Sequence, residues 1–209
     1  NRCLVGSEMC IRDRYKLATI MPGIDISFHI EPLGIIFSLL ASGLWILTHI
    51  YAIGYMRGAK EKNHSRFFFF FSVSIASVMG ISFSGNLFTL FLFYEILTLI
   101  TFPLVSHKGS NEALRGARVY LSILLGTSIG LQLLGIIWIY FSVGTLDFVK
   151  GGILNGSFGS LELTLLVALF AFGIGKAALF PFHRWLPAAM VAPTPCLLYT
   201  SDAADEDLR

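Results

Sequence analysis

Five blocks of apolar residues follow one another along this chain, at 33–56, 67–84, 87–106, 119–143 and 161–186. Each is near the roughly 20 residues that a helix needs to cross about 30 Å of hydrocarbon. A water-soluble helical core can hold one or two such helices. Five in succession leave no polar face for solvent. The chain is therefore expected to be an all-α polytopic membrane protein with five transmembrane helices. Composition agrees: 13% of the residues are charged and 55% are hydrophobic, whereas a soluble domain carries roughly 25% charge. A disordered chain is excluded on the same ground.

The two ends read differently from this middle. Residues 1–13 are NRCLVGSEMCIRD and residues 196–209 are CLLYTSDAADEDLR. The strings LVGSEMCIRD and CLLYTSDAADE resemble the two ends of a sequencing-library adapter translated in frame. On that reading 14–195 is the body of the protein, and the two ends are read-through that fold reasoning must exclude. The arithmetic then changes. The whole chain carries +2, but the body keeps 12 of 15 basic residues and 7 of 13 acidic ones, a net +5. Cys3, Cys10 and Cys196 all lie in the ends. The body therefore has no disulfide, thiolate metal site or cysteine nucleophile.

The loops predict a direction of insertion. The first connection, 57–66, holds Arg57, Lys60, Lys62 and Arg66 against Glu61. The third, 107–118, holds Lys108, Arg115 and Arg118 against Glu112. The second is the uncharged Gly85-Asn86, and the fourth sets Lys150 against Asp147. Seven basic loop residues thus fall on one side and one on the other. The excess of lysine and arginine puts loops 57–66 and 107–118 in the cytoplasm. Topology accounts for these charges, so no nucleic-acid partner is expected. Before the first block, Ile24–Glu31 alternates apolar and polar residues. Period two suits a half-buried strand on the outer surface or an extended interfacial lead-in to Pro32.

Away from Glu162 and Arg184 near the ends of the fifth block, ionisable residues inside the blocks are few: His49, Glu95, Lys176 and His183. A charged side chain at mid-bilayer costs about 2.5–3.5 kcal/mol on insertion scales and marks a functional candidate. Glu95 lies about 13 Å into its helix, too deep for so short a side chain to reach the interface. Lys176 lies about 18–22 Å from the outer side, so the two can share a depth. Gly173 and Gly175 precede Lys176 and Pro181 follows it. Proline removes the backbone bond to Ala177, so the helix is expected to break in the turn after Lys176. Broken helices at membrane depth line polar or wet cavities. Burial and a nearby carboxylate act on such an ammonium in opposite senses. With Glu95 close, Lys176 holds its proton; with the pair apart, the proton is releasable. The competing reading is an inert ion pair that fixes helix packing, although buried pairs are poor stabilisers.

The remaining polar residues have plainer readings beside functional ones. His49 fits a hydrogen bond to a neighbouring helix or a proton relay. His183, beside Arg184 and Trp185, fits an interfacial position or a relay. Arg115 and Arg118 anchor topology, and Phe67–Phe71 reads as lipid-facing aromatic bulk. No paired histidines suit haem, no glycine-rich phosphate loop follows a strand, and no serine has a base at workable spacing. No cofactor is expected.

These residues match a known family. The chain resembles the antiporter-like membrane subunits shared by respiratory complex I (NADH-quinone oxidoreductase) and Mrp-type cation/proton antiporters. IYAIGYMRG with SRFFFFF resembles that family's third-to-fourth helix junction, and NLFTLFLFYEILTLITFPLV its fifth helix. GIGKAALFPFHRWLPAAMVAPTP resembles its seventh helix and the start of its eighth. YEILTLITFPLVSH and LLGTSIGLQLLGIIWIYFSVGTLDF look closer to the D branch of the Mrp proteins than to complex I. By this resemblance Glu95 and Lys176 fall on the functional glutamate and lysine, and the five blocks are the third to seventh of about fourteen helices. The resemblance implies proton translocation coupled to Na⁺ exchange, or to quinone reduction elsewhere in a larger complex. It implies other membrane subunits as partners, a lipid bilayer (in a bacterium, the inner membrane) and no redox centre in this chain. Two rivals remain: a structural subunit with an inert pair, and an electron-transfer membrane enzyme.

Overall fold

The computed structural model describes residues 14–21, 23–60, 63–149, 151–154 and 158–190. The adapter-like strings at both ends lie outside these. Two strands lead the chain, β1 (Arg14–Met21) and β2 (Ile24–His29), paired antiparallel. The alternating segment is thus a strand. Its partner β1 has no comparable pattern of its own and is almost wholly exposed. Lys16 bonds Asp25 across the hairpin and, with a lesser contribution from Thr19, holds that carboxyl below its ordinary value of 3.8.

Among the described residues, four helices follow that are long and apolar enough to cross a membrane. The first is α1 (Pro32–Gly58), started by a proline whose missing N–H is no loss at that position. Then come α2 (His64–Ser82) and α3 (Leu87–Val105). Asn86 caps α3 by accepting from the Thr89 N–H at 2.7 Å. The fourth runs unbroken from Asn111 to Val143 as α4 (Asn111–Thr127), a π-helical segment (Ser128–Gln132) and α5 (Leu133–Val143). It starts eight residues earlier than the apolar block at 119–143 predicts. Its first turns are amphipathic: Ala113, Gly116 and Ala117 are buried while Glu112, Arg115 and Arg118 face out. A hydropathy reading discards such turns as loop.

The fifth block does not form one spanning helix. It gives α6 (Ser160–Gly173), a 3₁₀ turn (Gly175–Ala177), a second 3₁₀ turn (Phe182–Arg184) and the short α7 (Trp185–Ala189). α6 has 14 residues, about 21 Å at 1.5 Å per residue. Four spanning helices are thus seen among the described residues, with the fifth block interrupted near Lys176. The break begins at Gly173, before Lys176, and continues through the expected turn after it, where Ala178 has φ 50.

One end of the bundle is tied by the hairpin, the α2–α3 turn and the loop after α5. Arg14 donates to Asp147 at 2.6 Å and to the Gly85 carbonyl at 2.9 Å. Asn86 donates to Asp25 O at 2.6 Å and Ser27 Oγ at 3.0 Å, and the Leu87 N–H donates to Leu146 O at 3.0 Å. At the other end Arg66 donates to the His107 carbonyl at 3.2 Å, which brings the two basic loops together.

Two apolar clusters hold the helices. The first joins Ala52, Met56, Phe67, Phe71, Leu104, Tyr120, Leu124 and Trp185. The second joins Phe91, Ile136, Ile139, Leu146 and Leu166. The phenylalanine run is thus not simple lipid-facing bulk. Phe67 and Phe71, one turn apart, are fully buried, while Phe69 is 62% exposed.

Candidate functional site

Three elements pass from one apolar cluster to the other, and each carries its polar residues in the interval. On α3 the interval lies between Phe91 and Leu104 and holds Tyr94, Glu95 and Thr98. On the fourth helix it lies between Leu124 and Ile136 and holds Thr127, Ser128 and Gln132. On the fifth block it lies between Leu166 and Trp185 and holds Lys176. The result is a polar layer between two dry ones.

Hydroxyls lie at the start of the π-helical segment. Thr127 Oγ1 bonds Ile123 O and Leu124 O at 3.0 and 3.1 Å, and Ser128 Oγ bonds Leu124 O at 2.8 Å. Such hydroxyls compete with the backbone for the same carbonyls. π-bulges recur at functional sites.

The broken segment packs directly on this bulge. A Cβ on Gly173 would stand 2.7 Å from Gln132 N and 2.8 Å from Gln132 Cβ. One on Gly175 would strike Thr127 Oγ1. Only glycine allows the chain this close. Past Gly173 the backbone leaves the α-helix: Ile174 has ψ 72 and Ala178 has φ 50. The Trp185 indole then ties the turn from behind, donating to Gly175 O at 2.8 Å.

Lys176 is held on Tyr94. Its Nζ donates to the Tyr94 carbonyl at 3.2 Å and lies 3.8 Å from the centre of the Tyr94 ring. Its own N–H donates to the Tyr94 hydroxyl at 3.3 Å. Glu95 is the next residue along. Both of its carboxylate oxygens are buried and, among the described residues, lack a hydrogen-bond partner. The groups acting on it include the Ser128 hydroxyl and the Lys176 ammonium. No ion pair within 4.0 Å joins Glu95 to Lys176. The two expected residues therefore share one layer, but the lysine rests on the residue beside the glutamate.

The two histidines lie elsewhere. His49 sits among Trp45, Phe68 and Phe71 of α1 and α2, with ring centres 4.8–6.1 Å apart. His183 is exposed and stacks on Phe180 at 5.8 Å. Neither of these contacts involves Glu95 or Lys176. A cavity of about 500 Å³ between α5, α6 and the Pro181 turn is apolar, lined by Leu131, Trp138, Leu169, Phe172 and Phe182, and holds none of the charged groups. Sequence reasoning missed Tyr94, Ser128, Gln132 and Trp185. Gln132 left a signal, an amide in the otherwise apolar LQLLGIIW.

Comparison with known proteins gives concordant relatives. The chain is 33% identical over 190 residues to the putative antiporter subunit mnhA2 of Staphylococcus haemolyticus, covering 88% of this chain and 23% of that protein. It is 35% identical over 186 residues to the A/B component of a probable K(+)/H(+) antiporter of Rhizobium meliloti, covering 87% and 18%. It is 33% identical over 207 residues to the A1 component of a Na(+)/H(+) antiporter of Staphylococcus aureus, covering 96% and 25%. The chain thus spans a quarter or less of the length of these relatives, 18–25%. Among solved structures, the Mrp complex from Dietzia sp. DQ12-45-1b shares the fold at TM-score 0.74 and 22% identity, over 85% of this chain and 20% of that one. The archaeal membrane-bound sulfane sulfur reductase shares it at TM-score 0.70 and 24% identity, over 86% and 37%. Residues 21–68 match the model described as NADH-ubiquinone oxidoreductase (complex I), chain 5 N-terminus. Residues 84–200 match the model described as NADH:quinone oxidoreductase/Mrp antiporter, TM. The chain is a multi-pass membrane protein and belongs to the NADH:quinone oxidoreductase/Mrp antiporter transmembrane family.

Proposed function

We propose that this chain is the proton-conducting part of a membrane protein that exchanges a monovalent cation, Na⁺ first, for protons, with Glu95 and Lys176 as the transfer pair. One observation carries the reading. Lys176 rests on the Tyr94 carbonyl, one residue from a buried Glu95 whose two oxygens have no donor among the described residues. An inert structural pair would be expected in direct contact, because a buried carboxylate without a partner is destabilising. A pair set one residue apart suits a group that alternates between holding and releasing a proton. When the ammonium swings to Glu95 the proton is retained. When it returns to Tyr94 the proton can pass sideways to titratable groups on helices outside this chain. His49 and His183 are proposed as relay positions on the approaches.

The finer topology belongs to the same reading. α6 and the broken segment through α7 would cross together as a fifth span, the seventh of about fourteen in the whole protein. Loops 57–66 and 107–118 would face the cytoplasm of a bacterium by their basic excess. Partner subunits would cover the faces of α1 that are now bare, such as Leu33 and Leu39 at 78% and 67% exposure. The motif strings lean to the D branch of the Mrp proteins, while the relatives' names carry the letter A. The proposed transfer pair applies to either branch. Residues 1–13 and 196–209 are read as adapter, and sequencing the genomic locus should find neither string in frame.

A second reading, a proton-pumping subunit of an NADH-quinone oxidoreductase, is favoured by the family description, which names both. The test is Lys176→Ala in the intact protein, with cation-driven proton movement followed in inverted vesicles. Exchange should fall to background. Unchanged exchange would overturn the transfer-pair mechanism. Loss of redox-driven pumping without any cation exchange would favour the second reading.

A further inference from the structure

We propose that Gln132 is a positioning residue, holding a water molecule against Glu95 through its side-chain oxygen; this deepens the function proposed above and rests on it. The argument starts from orphaned atoms. Gln132 is 3% exposed, and its Oε1 is buried without a hydrogen-bond partner among the described residues. So are both oxygens of Glu95. Buried polar atoms in native structures are nearly always satisfied, by protein or by ordered water.

Helix geometry brings these atoms to one level. α3 begins and α5 ends at the hairpin end, where the Leu87 N–H meets Leu146 O. The two helices are therefore antiparallel. Phe91 of α3 and Ile136 of α5 belong to one apolar cluster. Four residues on from Phe91 is Glu95, and four residues back from Ile136 is Gln132. Each step stays on the same helix face and moves about 6 Å away from the hairpin end. Ser128, one turn beyond Gln132, stands near the same carboxylate. Gln132 also closes the π-helical segment, and its backbone is the surface on which Gly173 rests.

The chemistry then chooses the missing group. An ionised carboxylate and an amide oxygen are both acceptors, so in that state they cannot satisfy one another. A molecule with two donor hydrogens satisfies both at once, and water is the smallest. Ser128 cannot fill this place, because its hydroxyl already serves Leu124 O. The water so held is the one through which Glu95 gains and loses its proton. The amide oxygen fixes its orientation and is not itself protonated.

The test uses the intact protein in its complex. A cryo-EM map of the wild-type complex should show a water between the Glu95 carboxylate and the Gln132 amide; an empty gap overturns the proposal. Gln132→Met keeps the volume and removes the acceptor. It should lower the maximal exchange rate about tenfold, the effect of one lost hydrogen bond at the reacting group, with the half-saturating cation concentration unchanged. Gln132→Asn keeps an amide oxygen and adds no charge beside Glu95, and should stay within about threefold of wild type. Equal losses in both variants assign the effect to packing and overturn the proposal. A wild-type rate in Gln132→Met overturns it too, and if Lys176→Ala is inactive the proposed function still stands. Should Gln132→Met fail to accumulate, the Gln132→Asn rate and the wild-type density decide the matter.

Discussion

Replacing Gly173 with alanine should destabilise the protein, although alanine is the better helix former. The methyl group would meet Gln132 N at 2.7 Å, Gln132 Cβ at 2.8 Å and Gln132 Cα at 2.9 Å. Two of these are backbone atoms of a packed helix and cannot rotate away. Overpacking of this kind costs about 1–3 kcal/mol. The gain from removing a glycine offsets at most about 1 kcal/mol. With the overpacking at mid-range, about 2 kcal/mol, the net loss is about 1–2 kcal/mol, which lowers the melting temperature of a chain this size by about 2–8 °C. Two other glycines calibrate the result. Gly126 has no atom within 4 Å of an added Cβ, so Gly126→Ala should be neutral or stabilising by up to about 1 kcal/mol. At Gly175 the methyl meets Thr127 Oγ1 and, at 3.1 Å, Leu124 Cδ2. Side-chain atoms can yield, but Thr127 must then leave its two carbonyls. Gly175→Ala should fall between the other two. The assay is thermal unfolding of the purified variants in one detergent, followed by intrinsic fluorescence. If Gly173→Ala melts with Gly126→Ala, the end of α6 does not rest on the π-helical segment and the geometry argued for the site fails.

Other perturbations test the supports. Asn86→Ala removes the α3 cap and the bonds to Asp25 O and Ser27 Oγ; it should cost about 2–4 kcal/mol and free the hairpin, read as faster amide exchange in β2. Trp185→Phe keeps the edge contact with Tyr120 at 5.5 Å but loses the bond to Gly175 O; about 1 kcal/mol of local stability should go, with amide exchange at 174–177 accelerated and α2 unaffected. Because Lys16 lowers the Asp25 carboxyl in the folded state, its contribution is present above the ordinary value of 3.8 and lost as pH falls through the folded value. Carbon NMR of Asp25 should show Lys16→Met moving that titration upward; an unmoved titration would refute the pairing.

Much of this arrangement could be read from residue order, and the failures are instructive. Glu95 and Lys176 stood out because so few charges share the apolar blocks. The bracket of Gly173, Gly175 and Pro181 announced a break. Its earlier start at Gly173 could not be read, because proline governs only the backbone just before it, while the glycine is demanded by a helix some 40 residues away in the chain. The π-helical segment left no trace in the apolar pattern, since five residues are too few to separate one period from another. In the phenylalanine run, what decides which rings go inside is the neighbouring helices, not the run. β1 is a strand only because β2 offers it an edge.

The π-helical segment also decides where the fourth helix can change length. A π turn holds one residue more than an α turn, so it carries slack. Removing one residue from 128–132 would restore ordinary winding and leave Ile136 and Ile139 on the side of their cluster. The same deletion within 133–138 has no slack to draw on and would turn everything beyond it by about 100°, moving Ile139 out while Phe141, now 81% exposed, turned inward. A single-codon deletion should therefore be tolerated in the π-helical segment far better than in α5.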